Sequence, residues 1–305
     1  MATGGTITKN AKNVMLNRTY KSSPDYTIPS KFRVGIGTTT PSTSDTSLAE
    51  SIPIEDGTVN DDGDNTLTGS NGGEDSTDNT TTYKEGAGVT DATSQNLKTN
   101  TSSVTKRWYI SDLDTNGTDA SKTQPFALWL YIADATALAY LKDSGTCLEI
   151  RIGSDLATNY FSLTKEKSDL STGWNWINSG TTNVEDLTET GTVGADLDTF
   201  EIVITTNNAT DTWSEGDVCY DLLRQWETSD LGNVFVTGYP TFDETNKKVT
   251  VRYYLDSLKA NGFSISETGS FNTDATAKLI DRDVFTALSK TSTDEIAIVV
   301  VNTMV

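Results

Sequence analysis

Histidine is absent from the sequence. Without imidazole there is no Ser-His-Asp or Cys-His nucleophile, no His-containing zinc site and no imidazole switch near neutral pH. Cysteine occurs twice, as Cys147 and Cys219, each inside a strand-like run. Both read as small buried hydrophobes in preference to a disulfide pair. Positive charge is scarce: 23 Lys and Arg stand against 43 Asp and Glu, a formal net charge of −20. That balance argues against nucleic acid as a partner and suits solubility, repulsion between copies or cation binding. Long apolar runs are missing too, and the start Met1-Ala-Thr-Gly-Gly-Thr6 lacks a basic region followed by an apolar core. The expectation is a chain made in a cytoplasm, with neither a membrane nor a nucleic acid as partner.

What is present is a series of short strand patterns punctuated by Gly, Asn, Asp and Ser, in a chain long enough for two domains. Residues 6–20 predict a short helix with Ile7, Ala11, Val14 and Met15 on one side. Residues 26–37 predict a strand with Phe32, Val34 and Ile36 on one face, closed by the turn Gly37-Thr-Thr-Thr-Pro41. From residue 56 to about 79 the chain is nearly all Asp, Asn, Gly, Ser and Thr, which reads as linker. Within it, Gly63-Asp-Asn-Thr-Leu-Thr-Gly69 is similar to one calcium-binding nonapeptide, but one copy makes no solenoid.

The middle of the chain is strand-rich. Pro125-Phe-Ala-Leu-Trp-Leu-Tyr-Ile132 is apolar on both faces. Asp134 is a candidate N-cap for a helix carrying Leu138 and Leu141, with Gly145 as its stop. Then Leu148, Ile150 and Ile152 alternate with Glu149 and Arg151. Near the end, Val249, Val251, Tyr253 and Leu255 alternate, residues 262–269 read as strand or turn, and residues 279–288 fit helix or strand. The final run, residues 296–305, is β-branched and needs cover, part of it from the N-terminal arm. The expected fold is all-β: an antiparallel β-sandwich (jelly roll) inserted into a smaller split β-domain. Its expected segments are residues 1–56 and 228–305 as the two halves of the split domain, 57–82 as acidic linker, and 83–227 as the sandwich.

Three chemistries can be tested on the residues. Glycosidases of this architecture set two carboxylates on one strand face, whereas here Glu149 is followed by Arg151, so no catalytic residue is expected. For a metal, Asp112, Asp114, Asn116 and Asp119 follow the spacing of a calcium loop with Gly117 at its sixth position. Thr123 stands where that loop needs Glu, so an ordinary turn is the favoured reading and calcium the one cofactor to test. For a sugar, Trp129, Trp174, Trp176, Trp213 and Tyr160 are the candidate stacking rings, with core packing favoured.

The middle segment resembles a concanavalin/laminin-G type jelly roll of the kind found in viral structural proteins. The likeness rests on Phe126-Ala-Leu-Trp-Leu-Tyr-Ile132, Leu148-Glu-Ile-Arg-Ile-Gly-Ser154, Asn159-Tyr160, Gly173-Trp-Asn175 and Trp213-Ser-Glu-Gly-Asp-Val-Cys-Tyr-Asp-Leu222. The ends resemble bacteriophage tail-associated proteins. There the residues are Val34-Gly-Ile-Gly-Thr-Thr-Thr-Pro41, Ser44-Asp-Thr-Ser-Leu48, Ala260-Asn-Gly-Phe-Ser-Ile-Ser-Glu-Thr-Gly-Ser-Phe271 and Arg282-Asp-Val-Phe-Thr-Ala-Leu-Ser-Lys290. The acidic linker and the insertion depart from that pattern. The resemblance implies a virion structural protein of a tailed virus, made in the host cytoplasm and tail, baseplate or fibre associated. It would display the jelly roll in multiple copies, as a homo-oligomer among other virion proteins. An adhesin recognising a host-surface glycan, or a head or neck decoration protein, is the alternative.

Overall fold

A computed structural model describes residues 2–3, 5–55, 57–84, 93–113, 118–274 and 276–303. The chain is all-β and divides into two compact units. Residues 1–56, 86–88 and 228–305 form the split unit; residues 57–85 and 89–227 form the inserted unit.

The inserted unit is a two-sheet sandwich. One sheet runs, in spatial order, Thr188–Thr190, Asn159–Glu166, Thr146–Asp155, Thr199–Thr205, Thr105–Ile110 and Thr68–Asn71, every pair antiparallel. The other runs Gly173–Asn178, Phe126–Ile132, Val218–Gln225, Ser94–Asn96 and Thr77–Asn79, with Thr58–Asp61 also on Val218–Gln225. Because strand side chains alternate, Leu148, Ile150 and Ile152 join Leu128, Leu130, Ile132, Phe200 and Tyr220 in one core, while Glu149 and Arg151 face outward. Asp134 caps the helix Ala135–Tyr140, its carboxylate accepting the N–H groups of Thr136 (2.8 Å) and Ala137 (2.9 Å). The helix ends at Leu141 rather than at Gly145, whose φ of 71° serves the following turn.

Residues 57–82 are not a linker. Their three strands, Thr58–Asp61, Thr68–Asn71 and Thr77–Asn79, all pair within the sandwich, and Leu67 is fully buried in its core. Polar side chains can be buried here because each finds a partner. The Asn60 amide donates to Thr118 O (2.8 Å), Ser76 Oγ donates to Gln95 Oε1 (2.7 Å), and Asn79 Nδ2 donates to Asn96 Oδ1 (3.0 Å).

The split unit also has two sheets. Five strands lie in the order Gly232–Val234, Pro29–Gly35, Ser264–Asn272, Leu279–Ser289, Thr6–Ile7; four lie in the order Ala2–Thr3, Ile296–Thr303, Lys248–Leu255, Thr241–Asp243. The apolar final strand pairs antiparallel with Lys248–Leu255 along its whole length. On its other side the N-terminal arm runs parallel, with Ala2 opposite Val299 and Thr3 opposite Val300. Phe32 stacks on Tyr253 at 4.6 Å between ring centroids, which sets Pro29–Gly35 in the facing sheet. The two ambiguous segments, Ser264–Asn272 and Leu279–Ser289, are both strands. The N-terminal helix, Lys9–Tyr20, is capped by Thr8 Oγ1 and buries Ala11 and Val14. Met15, expected on that buried side, is 44% exposed.

Candidate functional site

In the split unit the four segments that carry the phage-tail resemblance meet in one buried polar network. Glu267, fully buried on its strand, takes N–H groups from Gly37 (3.2 Å), Ala49 (3.1 Å) and Glu50 (2.7 Å). Its other neighbour is Arg282 on the adjacent strand, whose Nε and Nη2 reach Glu267 Oε2 at 2.9 and 2.8 Å. The same guanidinium donates to Asp45 (2.9 Å) and to the carbonyl and hydroxyl of Thr39 (both 3.0 Å). Burial works against the Arg282 charge, but Asp45 and Glu267 outweigh it and hold its proton more tightly than usual. Burial also pushes the Asp45 carboxyl up, yet the Ser42 N–H and Arg282 bring it below the ordinary range.

The glycines of the segment are explained by this network. A Cβ on Gly37 would stand 2.5 Å from Glu267 Oε1, and one on Gly35 would strike the Glu50 carbonyl. Lys290, also buried, donates to Asn261 Oδ1 (2.6 Å) and Thr291 O (2.8 Å). Gly262 N–H returns to Lys290 O at 2.8 Å from a residue with φ of 80°. Leu48, Phe271 and Leu279 close an apolar cluster of their own in the same unit.

The inserted unit offers two chemically distinct faces. On the outer face of its first sheet, Arg151 bonds Glu149 (2.8 Å) and Glu201 (2.9 Å), Arg107 reaches Glu201 (3.3 Å), and the Arg151 guanidinium lies 4.3 Å from the Tyr160 ring centre. Burial raises the Glu201 carboxyl against the pull of Arg107 and Arg151. Glu201 and Arg107 lie on neighbouring strands and carry no spacing signal along the sequence. Cross-strand register alone, with Arg151 opposite Glu201, brings them in. A hydrolytic pair needs one carboxyl free as acid and the other free as base or nucleophile, whereas both of these hold the same arginine.

On the second sheet, Trp129, Tyr131, Trp174 and Trp176 share the face turned away from the core. Trp129 lies 4.8 Å from Trp176, and Tyr131 lies 5.2 Å from Trp174. Lys84 Nζ sits 4.4 Å above Trp129, and the Arg224 guanidinium lies 5.0 Å from Trp176. Trp129 and Trp176 are buried, whereas Trp174 is half-buried. Trp213 is a core residue donating to Ala137 O (3.2 Å), and Tyr160 belongs to the other sheet. The five candidate stacking rings therefore do not form one platform.

Of the calcium-loop candidates, Asp114 and Asn116 lie outside the described residues. Asp119 is surrounded by Asp196, Asp198 and Asp112; burial first, then these carboxylates, raise its own carboxyl above the ordinary value. Asp196 and Asp198 come from another loop and were not legible as partners from spacing. Asp61, Asp62 and Asp64 form a second acidic group, one oxygen of each lying within 4.8 Å of the others. Its sequence signal is the nonapeptide-like stretch that begins at Gly63. Asp61 is already committed there, accepting from Asn65 (2.6 Å) and from the Tyr220 hydroxyl (2.7 Å). Either group supplies the oxygen ligands a hard cation takes. Cys147 and Cys219 are free, buried thiols. No protein-family model matches the sequence, and no curated protein matches it either.

Proposed function

We propose that the chain is a structural protein of a tailed-virus particle, tail, baseplate or fibre associated. In this reading the split unit attaches to other virion proteins and the sandwich is displayed. The observation that supports it is the convergence in the split unit. Gly37, Asp45, Glu267 and Arg282 come one from each of the four segments on which the resemblance rests, and their hydrogen bonds meet on the buried Glu267–Arg282 pair. A role in building particles fits a buried network better than a reactive site, because its charges are spent on one another. The inserted sandwich then acts through its surface rather than through catalysis. Mass spectrometry of purified particles should find the chain in stoichiometric amounts with the other structural proteins. Its absence from particles, with the chain present in the infected-cell extract, overturns the reading.

A further inference from the structure

Charge is distributed very unevenly along this acidic chain. Residues 1–33 hold six basic side chains (Lys9, Lys12, Arg18, Lys21, Lys31, Arg33) and one acidic one, Asp25. Lys21 and Asp25 pair with each other, which leaves the segment strongly positive. By unit, the split unit has 13 Lys and Arg against 15 Asp and Glu, while the inserted unit has 10 against 28. Nearly all the excess negative charge is therefore on the sandwich.

The helix Lys9–Tyr20 gathers the positive charge beside apolar surface. Its buried side is only Ala11 and Val14. At 100° per residue, Lys9, Lys12, Leu16 and Tyr20 fall on the opposite side. Leu16 is 58% exposed and Tyr20 81% exposed, and Lys9 and Lys12 are exposed with them. A short helix that turns a leucine and a tyrosine outward between lysines has the composition of a contact face, with apolar anchors and a charged rim.

We propose that this helix face docks on the acidic inserted unit of a second copy of the chain. Charge complementarity selects that occupant: the helix is positive, and the one strongly negative surface the chain itself supplies is the sandwich. The contact joins two different surfaces, so it either closes reciprocally as a two-fold dimer or runs head-to-tail into a ring or a filament. The net charge of −20 repels copies at long range, but at about 0.1 M salt that repulsion is screened beyond roughly 10 Å while contact-range pairs persist. The inference goes beyond the particle reading and stands without it.

Two measurements on the full chain test it. Sedimentation velocity at about 0.1 M salt should show concentration-dependent association, weakened at least ~10-fold near 1 M. Lys12→Glu/Leu16→Glu, two exposed changes, should sediment as monomer in both conditions with an unchanged melting temperature. Carbodiimide coupling of a mixture of ¹⁴N- and ¹⁵N-labelled protein should then join Lys9 or Lys12 of one copy to carboxylates within residues 57–227 of another. A monomer at all salt concentrations, a double variant that associates like the parent, or intermolecular links that join helix to helix overturn the proposal.

Discussion

Replacing Arg282 by methionine strands a buried anion. The guanidinium is the charged donor to Glu267, and it also ties Asp45 and Thr39 to the sheet. Without it Glu267 keeps three backbone N–H donors, from Gly37, Ala49 and Glu50, but loses its ion-pair partner in a fully buried position. Removing one partner of a buried pair costs about 3–5 kcal/mol, against a total of roughly 5–15 kcal/mol for a typical domain. At 1.4 kcal/mol per decade, the open population of the split unit should rise roughly a hundred- to several-thousand-fold. Fluorescence cannot follow this, because all six tryptophans belong to the inserted unit. Hydrogen exchange of peptides covering residues 264–289 can, and tryptophan emission serves as the control for the sandwich. Glu267→Gln in the Arg282→Met background keeps an acceptor for the Gly37 and Glu50 N–H groups and removes the stranded charge. That double variant should recover at least ~1 kcal/mol relative to Arg282→Met alone. Protection in Arg282→Met within ~1 kcal/mol of the parent, or strictly additive single variants, would refute the reasoning.

Three further outcomes follow from the same geometry. Gly37→Ala places a methyl 2.5 Å from Glu267 Oε1 and 2.7 Å from Ala49 Cβ, and should cost about 1–3 kcal/mol in the same exchange assay; unchanged protection counts against the packing described. The thiols of Cys147 and Cys219 are both pushed up to about 11, chiefly by burial, so a disulfide-forming reagent at pH 8 should label neither until urea unfolds the sandwich. Asp61 is raised mainly by burial, so its folded form binds a proton more readily than the unfolded chain does. Its contribution is then present below the ordinary carboxylate value and is lost as pH rises through the raised one. Asp61→Asn should flatten the fall in the urea midpoint of tryptophan emission above pH 4; an identical slope in both proteins would contradict it.

The strands of the sandwich were legible because their periodicity is a packing rule: Leu148, Ile150 and Ile152 can reach the core only if Glu149 and Arg151 face away. The same rule failed on residues 57–82, where a sheet-covering strand needs a backbone ladder and satisfied side chains more than apolar ones. Asn60, Asp61, Ser76 and Asn79 are buried there on hydrogen bonds to residues 17 to 159 positions away in sequence, which no local window reports. The candidate site split in the same way. Asp45, Glu267 and Arg282 were picked out by resemblance, but their meeting depends on strand register and on the return of residues 36–50. Glu201, Asp196 and Asp198 had no signal, since each joins its partners across strands or loops.

Why an insertion at this place is tolerable can be argued from the ends it joins. In the split unit the N–H of Ile54 bonds the carbonyl of Asp230 at 2.7 Å, so the outgoing and returning chain are neighbours. In the inserted unit Thr58 lies opposite Gln225 at the matching point. A folded insert whose ends are already adjacent adds little closure cost, since each doubling of even a flexible loop costs only about 0.6 kcal/mol. The larger demand falls on the split unit, whose core must be completed by segments on both sides of the insertion. Glu267, from the C-terminal part, takes its backbone donors from residues 37, 49 and 50 of the N-terminal part. The C-terminal part alone keeps Arg282 but loses those donors, and the final strand loses its parallel edge once Ala2–Thr3 is removed. A buried charge shared across the insertion thus makes the two parts fold as one, which an apolar contact of the same area would enforce less strictly.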